Sequence, residues 1–208
     1  MSNLLIRIQG IEEQKYFNMV KKELFRKSIH LCSCFIPFFL TKYKPFIVIS
    51  LSCVLLFYTI CELLRIKGKD VFLISLITKI ASRERDENKF VLGPVTLSLG
   101  ILSTILIFNV PSATAGIFAL GLGDGLASLF GKLFGRRAIP FTKGKTLMGS
   151  IACFCGIFGA ILLQTKSCLP ALILATVGTL IELIPLKDFD NLIIPLLVAF
   201  VAQYLLHF

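Results

Sequence analysis

Seven apolar stretches, at about 29–41, 46–64, 91–109, 112–130, 147–165, 169–186 and 192–207, recur along this chain of 208 residues. Crossing a bilayer as a helix takes about 20 such residues, because each adds about 1.5 Å and lipid leaves no water for a bare peptide group. The stretches therefore predict an all-α, polytopic helical membrane protein with about seven transmembrane helices. Composition agrees: 16% of the residues are charged and 56% hydrophobic, against roughly 25% charged in a soluble domain. The mean hydropathy is +0.85. Seven spans use about 140 residues, which leaves too little chain for a separate soluble catalytic domain. Any chemistry then happens in or at the bilayer. An eighth apolar stretch, 71–81, is too short to span comfortably and contains Lys79, so it is expected as an interfacial or re-entrant helix.

The net charge of +10 would point to nucleic acid in a soluble protein. In a membrane protein it points first to cytoplasmic loops and anionic lipid, and no nucleic-acid partner is expected. With the N-terminus in the cytoplasm and 71–81 not spanning, inside segments hold six Lys and Arg in 1–27, seven in 65–90, five in 131–146, and Lys187. Outside segments hold only Lys42, Lys44 and Lys166. Were 71–81 to span, that asymmetry would collapse. Glu62, Asp124, Glu182, Asp188 and Asp190 fall on the same inner half or edge. Carboxylates near apolar spans are costly and usually face a polar cavity. Together with three basic loops, they predict one site for a polyanion and its cations.

Residues 1–27 carry no long apolar run, so a cleaved secretory signal is not expected. Ile11, Phe17, Val20 and Leu24 recur at roughly helical spacing with Lys21, Lys22, Arg26 and Lys27 among them. That pattern predicts an interfacial amphipathic segment over 1–27, ahead of a single transmembrane catalytic domain over 28–208. The seven cysteines are odd in number, lie in or beside apolar runs and form no CxxC pair. They read as reduced core residues. His30 and His207 are too few and too far apart for a histidine metal centre.

Four constellations could carry chemistry. In Gly121 to Arg137, the residues Asp124, Ser128, Gly131 and Gly135 are spaced by four, three and four and share a helical face. Small residues there let phosphate or metal approach the backbone, and Asp124 offers a hard oxygen ligand. Helix packing on a small-residue face is the competing reading, but it leaves an Asp among glycines unexplained. The second is the loop Lys143-Gly144-Lys145-Thr146 before Gly149 and Ser150, a phosphate cradle if its free amides face the ligand, or else a positively charged inside loop. In the third, Asp188, Asp190 and Asn191 place three oxygen side chains in a turn just after Glu182 and Pro185. Such a turn suits Mg²⁺ holding substrate phosphates, or is simply a solvated turn with an Asn cap. The fourth is Arg26, Lys27 and His30, close on one helical surface; His30 already lies inside the apolar run.

The order of these pieces, RKxxH, GDxxAxxxGxxxG, KxKTxxGS, then E-x₈-N with Asp190-Asn191 and Ile194-Pro195, resembles the polyprenol kinase family. That family includes dolichol kinase, phytol kinase and the CTP-dependent diacylglycerol kinases. The central part is also similar to phosphatidate cytidylyltransferases, although their final signature is absent. The chain departs from the family at Met148, where a Glu is usual, and at Gly144, which separates two lysines often adjacent.

The resemblance implies a membrane-embedded kinase that takes phosphate from CTP and delivers it to a lipid alcohol: a polyprenol, a phytol-like alcohol or diacylglycerol. It implies Mg²⁺, or another divalent cation, held by Asp124, Asp188 and Asp190. Arg26, Lys27, Ser128, Gly131, Gly135, Arg136, Arg137, Lys143, Lys145, Thr146, Gly149, Ser150 and Asn191 would surround the nucleotide. Asp124, Glu182, Asp190 and His30 would be the catalytic groups, one of the last three accepting the hydroxyl proton. An enzyme making a CDP-lipid from a lipid phosphate is the alternative, and a transporter ranks lower, because the acids sit at one face and no repeat is visible. The expected location is the inner or plasma membrane in a prokaryote, and the endoplasmic reticulum or a plastid membrane in a eukaryote.

Overall fold

The computed structural model describes residues 14, 17, 20–69 and 89–206, and these residues contain helices and no strand. Helix α1 (20–32) passes through a 3-10 turn, Ser33–Phe35, into α2 (Ile36–Ile66). Then come α3 (Gly93–Ile107), α4 (Val110–Phe118), a π-helical segment Ala119–Asp124 and α5 (Gly125–Phe134). The last three are α6 (Leu147–Thr165), α7 (Cys168–Leu183) and α8 (Asp190–Leu205). Three runs are long and apolar enough to cross a membrane: Val20–Ile66, Val110–Phe134 and Leu147–Thr165. Helices α3, α7 and α8 are shorter apolar helices. Each coincides with an expected span. The stretch 71–81, and with it Ile11 and His207, lies outside the described residues.

Residues 42–45, expected as a loop between two spans, are instead a kink within one helical run. Tyr43 leaves helical geometry (φ −122°, ψ 28°) two residues before Pro45. A proline ring inside a helix clashes with the carbonyl four residues back and removes an amide donor. Ile36 and Leu40 before the kink, and Ile47, Val48 and Leu51 after it, meet one core cluster with Leu97, Ile101, Ile105 and Ile117.

The continuous run from α4 through α5 is the most buried of the three long ones and joins that cluster to a second. The second is built from Ala115, Ala119, Ala127, Ile157, Ile161, Leu174, Ile194 and Val198. Helix α8 seats closely on α4. A Cβ on Gly116 would come within 2.3 Å of the Pro195 carbonyl oxygen, so only glycine permits this approach.

Within the expected amphipathic segment, the buried face of α1 is polar. Phe17 and Leu24 are exposed, whereas Glu23, Lys27, His30 and Ser33 are buried. These four are spaced by four, three and three, hence on one face. The neighbouring elements supply partners to this face, while Lys21, Lys22, Leu24 and Ile29 stay exposed.

Candidate active site

Burying charge is expensive unless each group is paired and hydrogen-bonded, so the inward face of α1 requires partners. Lys27 donates to Asp124, with both side chains almost wholly buried. His30 Nδ1 lies 3.1 Å from the same Asp124 oxygen, but off the hydrogen-bonding direction. Glu23 accepts from Arg26 at 2.8 Å, from Ser128 Oγ at 2.6 Å and from Lys132 at 2.9 Å.

Asp124 is the last residue of the π segment. Widened turns of this kind break the regular rotation of side chains and recur at functional sites. From Asp124 the face continues one turn at a time through Ser128 and Lys132. On its flank α5 meets the start of α6 at contact distance: a Cβ on Gly149 would lie 2.6 Å from Ala127 O, and one on Gly135, just past α5, 2.5 Å from Thr146 Oγ1. The loop between them closes as a small hairpin, with Ala138 bridging Thr146 and Ile139 N donating to Lys145 O at 2.8 Å. Phe141, Lys143 and Gly144 adopt positive φ in its turn. Thr146 caps α6, its Oγ1 accepting from Gly149 N at 3.2 Å, the usual role of a Thr before a helix start. Lys145 Nζ reaches Glu182 on α7 at 2.8 Å.

These elements enclose one cleft of about 190 Å³. It is lined by Glu23, Arg26 and Lys27 from α1; by Asp124, Ala127, Ser128, Gly131 and Lys132; by Gly144, Lys145, Thr146, Gly149 and Ser150; and by Glu182 and Asp190. Four basic side chains therefore face four carboxylates. Arg26 and Lys132 rest on Glu23, Lys27 on Asp124 and Lys145 on Glu182. Among the described residues no cation pairs with Asp190; its carboxylate accepts only the Asn191 amide, at 2.9 Å. Also among the described residues, no three His, Cys, Asp or Glu side chains converge as a metal-binding group. A cation here would be held by one or two carboxylates and completed by ligand oxygens, the usual arrangement for Mg²⁺ on a polyphosphate.

The chain is similar to probable phytol kinase 1, chloroplastic, of Oryza sativa subsp. japonica, at 28% identity over 62% of this chain and 47% of the relative. Farnesol kinase, chloroplastic, of Arabidopsis thaliana matches at 36% over 35% of this chain and 24% of its own length. An uncharacterised protein of Methanocaldococcus jannaschii matches at 28% over 88% of this chain and 94% of its own. Phytol kinase and farnesol kinase relatives at 24–36% identity support a polyprenol/phytol kinase family for this chain. It spans about half the length of the rice relative it matches. No family model matches the chain, and no solved structure matches it.

In this polyprenol/phytol kinase relative, most of the residues expected at the site converge. Arg26, Lys27, Asp124, Ser128, Gly131, Lys145, Thr146, Gly149, Ser150, Glu182 and Asp190 line the cleft. His30 stands behind Asp124, and Gly135 sits in the α5–α6 contact. Arg136, Arg137 and Lys143 are exposed on the loop and outside the lining, and Asp188 is half-buried in its turn, also outside it. Asn191 faces another way: its Nδ2 donates to Thr96 Oγ1 at 3.1 Å and to Gly93 O at 3.3 Å, tying α8 to α3.

Glu62 does not join the common site expected for the acids. It is fully buried, bound twice by Arg65 and once by the Val91 amide at 2.9 Å, and so secures the chain just ahead of α3. Motif reading missed Glu23 and Lys132. The signal was present: Glu23, Lys27 and His30 share a face of α1, and Lys132 continues the four-residue spacing from Asp124 and Ser128.

Proposed function

We propose that this protein is a membrane-embedded, CTP-dependent lipid-alcohol kinase acting at the cytoplasmic face, in a seven-span arrangement with its N-terminus inside. The observation that carries the reading is the charge pattern of the cleft. Among the described residues, four cations and four carboxylates line it, and Asp190 has no cationic partner. A bare polyanion gains little net attraction from a neutral cleft. A polyphosphate arriving with a divalent cation matches both halves: its oxygens face the Lys and Arg side chains, and its metal faces Asp124 and Asp190. The volume is small beside the roughly 300–1,000 Å³ of pockets that enclose a whole ligand. It suits the phosphate chain of a nucleotide, with the base outside.

Asp124 and Asp190 are the residues that would hold Mg²⁺, which when bound neutralises charge on the transferring phosphoryl group. Arg26, Lys27, Lys132 and Lys145 then orient the phosphates, and Ser150 and Gly149 form the floor at the start of α6. Glu182, in the last turn of α7, lines the cleft, where it would meet the hydroxyl of the lipid. The alcohol oxygen forms a bond to the γ-phosphorus, the bond to the β-bridging oxygen breaks, CDP leaves with that electron pair, and Glu182 accepts the hydroxyl proton. The names of the phytol and farnesol kinase relatives support an alcohol as the acceptor. The clustering of the charged cleft at one end of an apolar bundle supports an interfacial reaction.

The test is to incubate purified protein and a lipid extract with CTP labelled at either the α or the γ phosphorus. Label reaching lipid from γ alone is the expected result. Label from α alone means a CDP-lipid is made instead, and label from neither position refutes both reactions.

A further inference from the structure

Glu23 is 7% exposed and gathers three donors that all line the cleft. Arg26, one turn along α1, and Ser128 share one carboxylate oxygen at 2.8 and 2.6 Å; Lys132 takes the other at 2.9 Å. Ser128 and Lys132 are one turn apart on α5, and Ser128 is one turn beyond Asp124. A guanidinium carries five N–H donors and an ammonium three. The contact with Glu23 uses one of these donors on each cation, and both side chains line the cleft. Flexible Arg and Lys side chains lose rotamer freedom when a ligand immobilises them, and a group that fixes them beforehand removes that cost. The Ser128 hydroxyl proton is directed at Glu23, so what it offers the cleft is oxygen lone pairs, not a proton.

We infer that Glu23 is a positioning residue that presets Arg26 and Lys132 as one basic wall for a polyphosphate and turns the Ser128 oxygen toward the side of the cleft that holds Asp124. This rests on the polyphosphate reading of the cleft. A carboxylate beside an anion site would by simple electrostatics weaken anion binding. Positioning and plain charge balance therefore predict opposite signs when the charge is removed.

The experiment compares full-length wild type with Glu23→Gln and Glu23→Asp in detergent. It measures Tm, the concentration of Mg²⁺-tripolyphosphate giving half-maximal thermal protection, and kcat and KM for transfer from γ-labelled CTP. With Glu23→Gln we expect half-maximal protection at about tenfold higher ligand, the loss of one charge-assisted contact. We also expect kcat to fall about 10- to 100-fold from misplaced cations. Glu23→Asp keeps the charge and should lie between wild type and Glu23→Gln in both.

Tighter tripolyphosphate binding by Glu23→Gln overturns the inference in favour of charge balance. A lower Tm with unchanged half-saturation and kcat overturns it in favour of a plain α1–α5 ion pair. Should Glu23→Gln not fold, Glu23→Asp decides, and wild-type binding and kcat in that variant overturn the inference. If wild type binds Mg²⁺-tripolyphosphate but transfers no phosphate from CTP, the kinase reading fails. The binding comparison then still decides the role of Glu23.

Discussion

Replacing Asp124 by Asn removes one charge from a buried pair while keeping the side chain's shape. The Asp124 and Lys27 side chains are 6% and 4% exposed, so the ammonium left behind cannot recover its hydration. His30 beside it offers no compensating negative charge. Removing one partner of a buried ion pair costs about 3–5 kcal/mol. At about 2–4 °C per kcal/mol for a chain of this size, Tm should fall on the order of 10 °C. Pairing the change with Lys27→Met removes both charges, and the double variant should recover most of the loss.

Activity should not follow stability. Both residues face the proposed polyphosphate and its cation, so single and double variants should each lose phosphate transfer by at least about 100-fold, comparable to deleting a transition-state donor elsewhere. Thermal denaturation followed by size-exclusion recovery reads stability, and γ-labelled CTP reads transfer. Wild-type transfer by Asp124→Asn would remove Asp124 from the site. A double variant as unstable as the single one would refute the energetics of the pair.

Lys145→Met strips Glu182 of its partner and the cleft of a phosphate contact, so KM for CTP should rise about tenfold; an unchanged KM with lowered Tm would leave Lys145 a structural residue. Gly135→Ala drives a Cβ to within 2.5 Å of Thr146 Oγ1 and should cost about 1–3 kcal/mol. Gly159→Ala in α6, where nothing lies within 4 Å, should be neutral or stabilising by up to about 1 kcal/mol; equal Tm changes for the two would refute the close α5–α6 contact.

Much of the architecture was legible because it depends on local properties. The span predicted at 147–165 is Leu147–Thr165, and Pro185 lies just beyond α7, which ends at Leu183. The Asp124, Ser128, Gly131 spacing did mark one face of a helix, and that face lines the cleft. The interruption at Tyr43 was legible only as a break. Lys42, Lys44 and Pro45 read as a loop, whereas a backbone held by apolar packing on both sides keeps helical geometry around a single displaced residue. Asn191 and Asp190 are neighbours of similar polarity, yet they point to different places, one onto α3 and one into the cleft. Sequence spacing could not separate them, because adjacent residues on a helix are turned about 100° apart and only the neighbouring helices determine which direction is the site.

What the chain determined by itself was an apolar, helical protein with its charges sorted to a few segments, and the resemblance that its motifs carry. Hydropathy and helical period act over a turn or a span, so they can be read without partners. The tertiary structure decided which charges meet. Lys27 and Asp124 are separated by 97 positions and Glu23 and Ser128 by 105, and only the register between helices brings them together. It also decided that α1 buries Glu23, Lys27 and His30. Burying them carries a heavy desolvation cost, which the charges paired from the other helices offset.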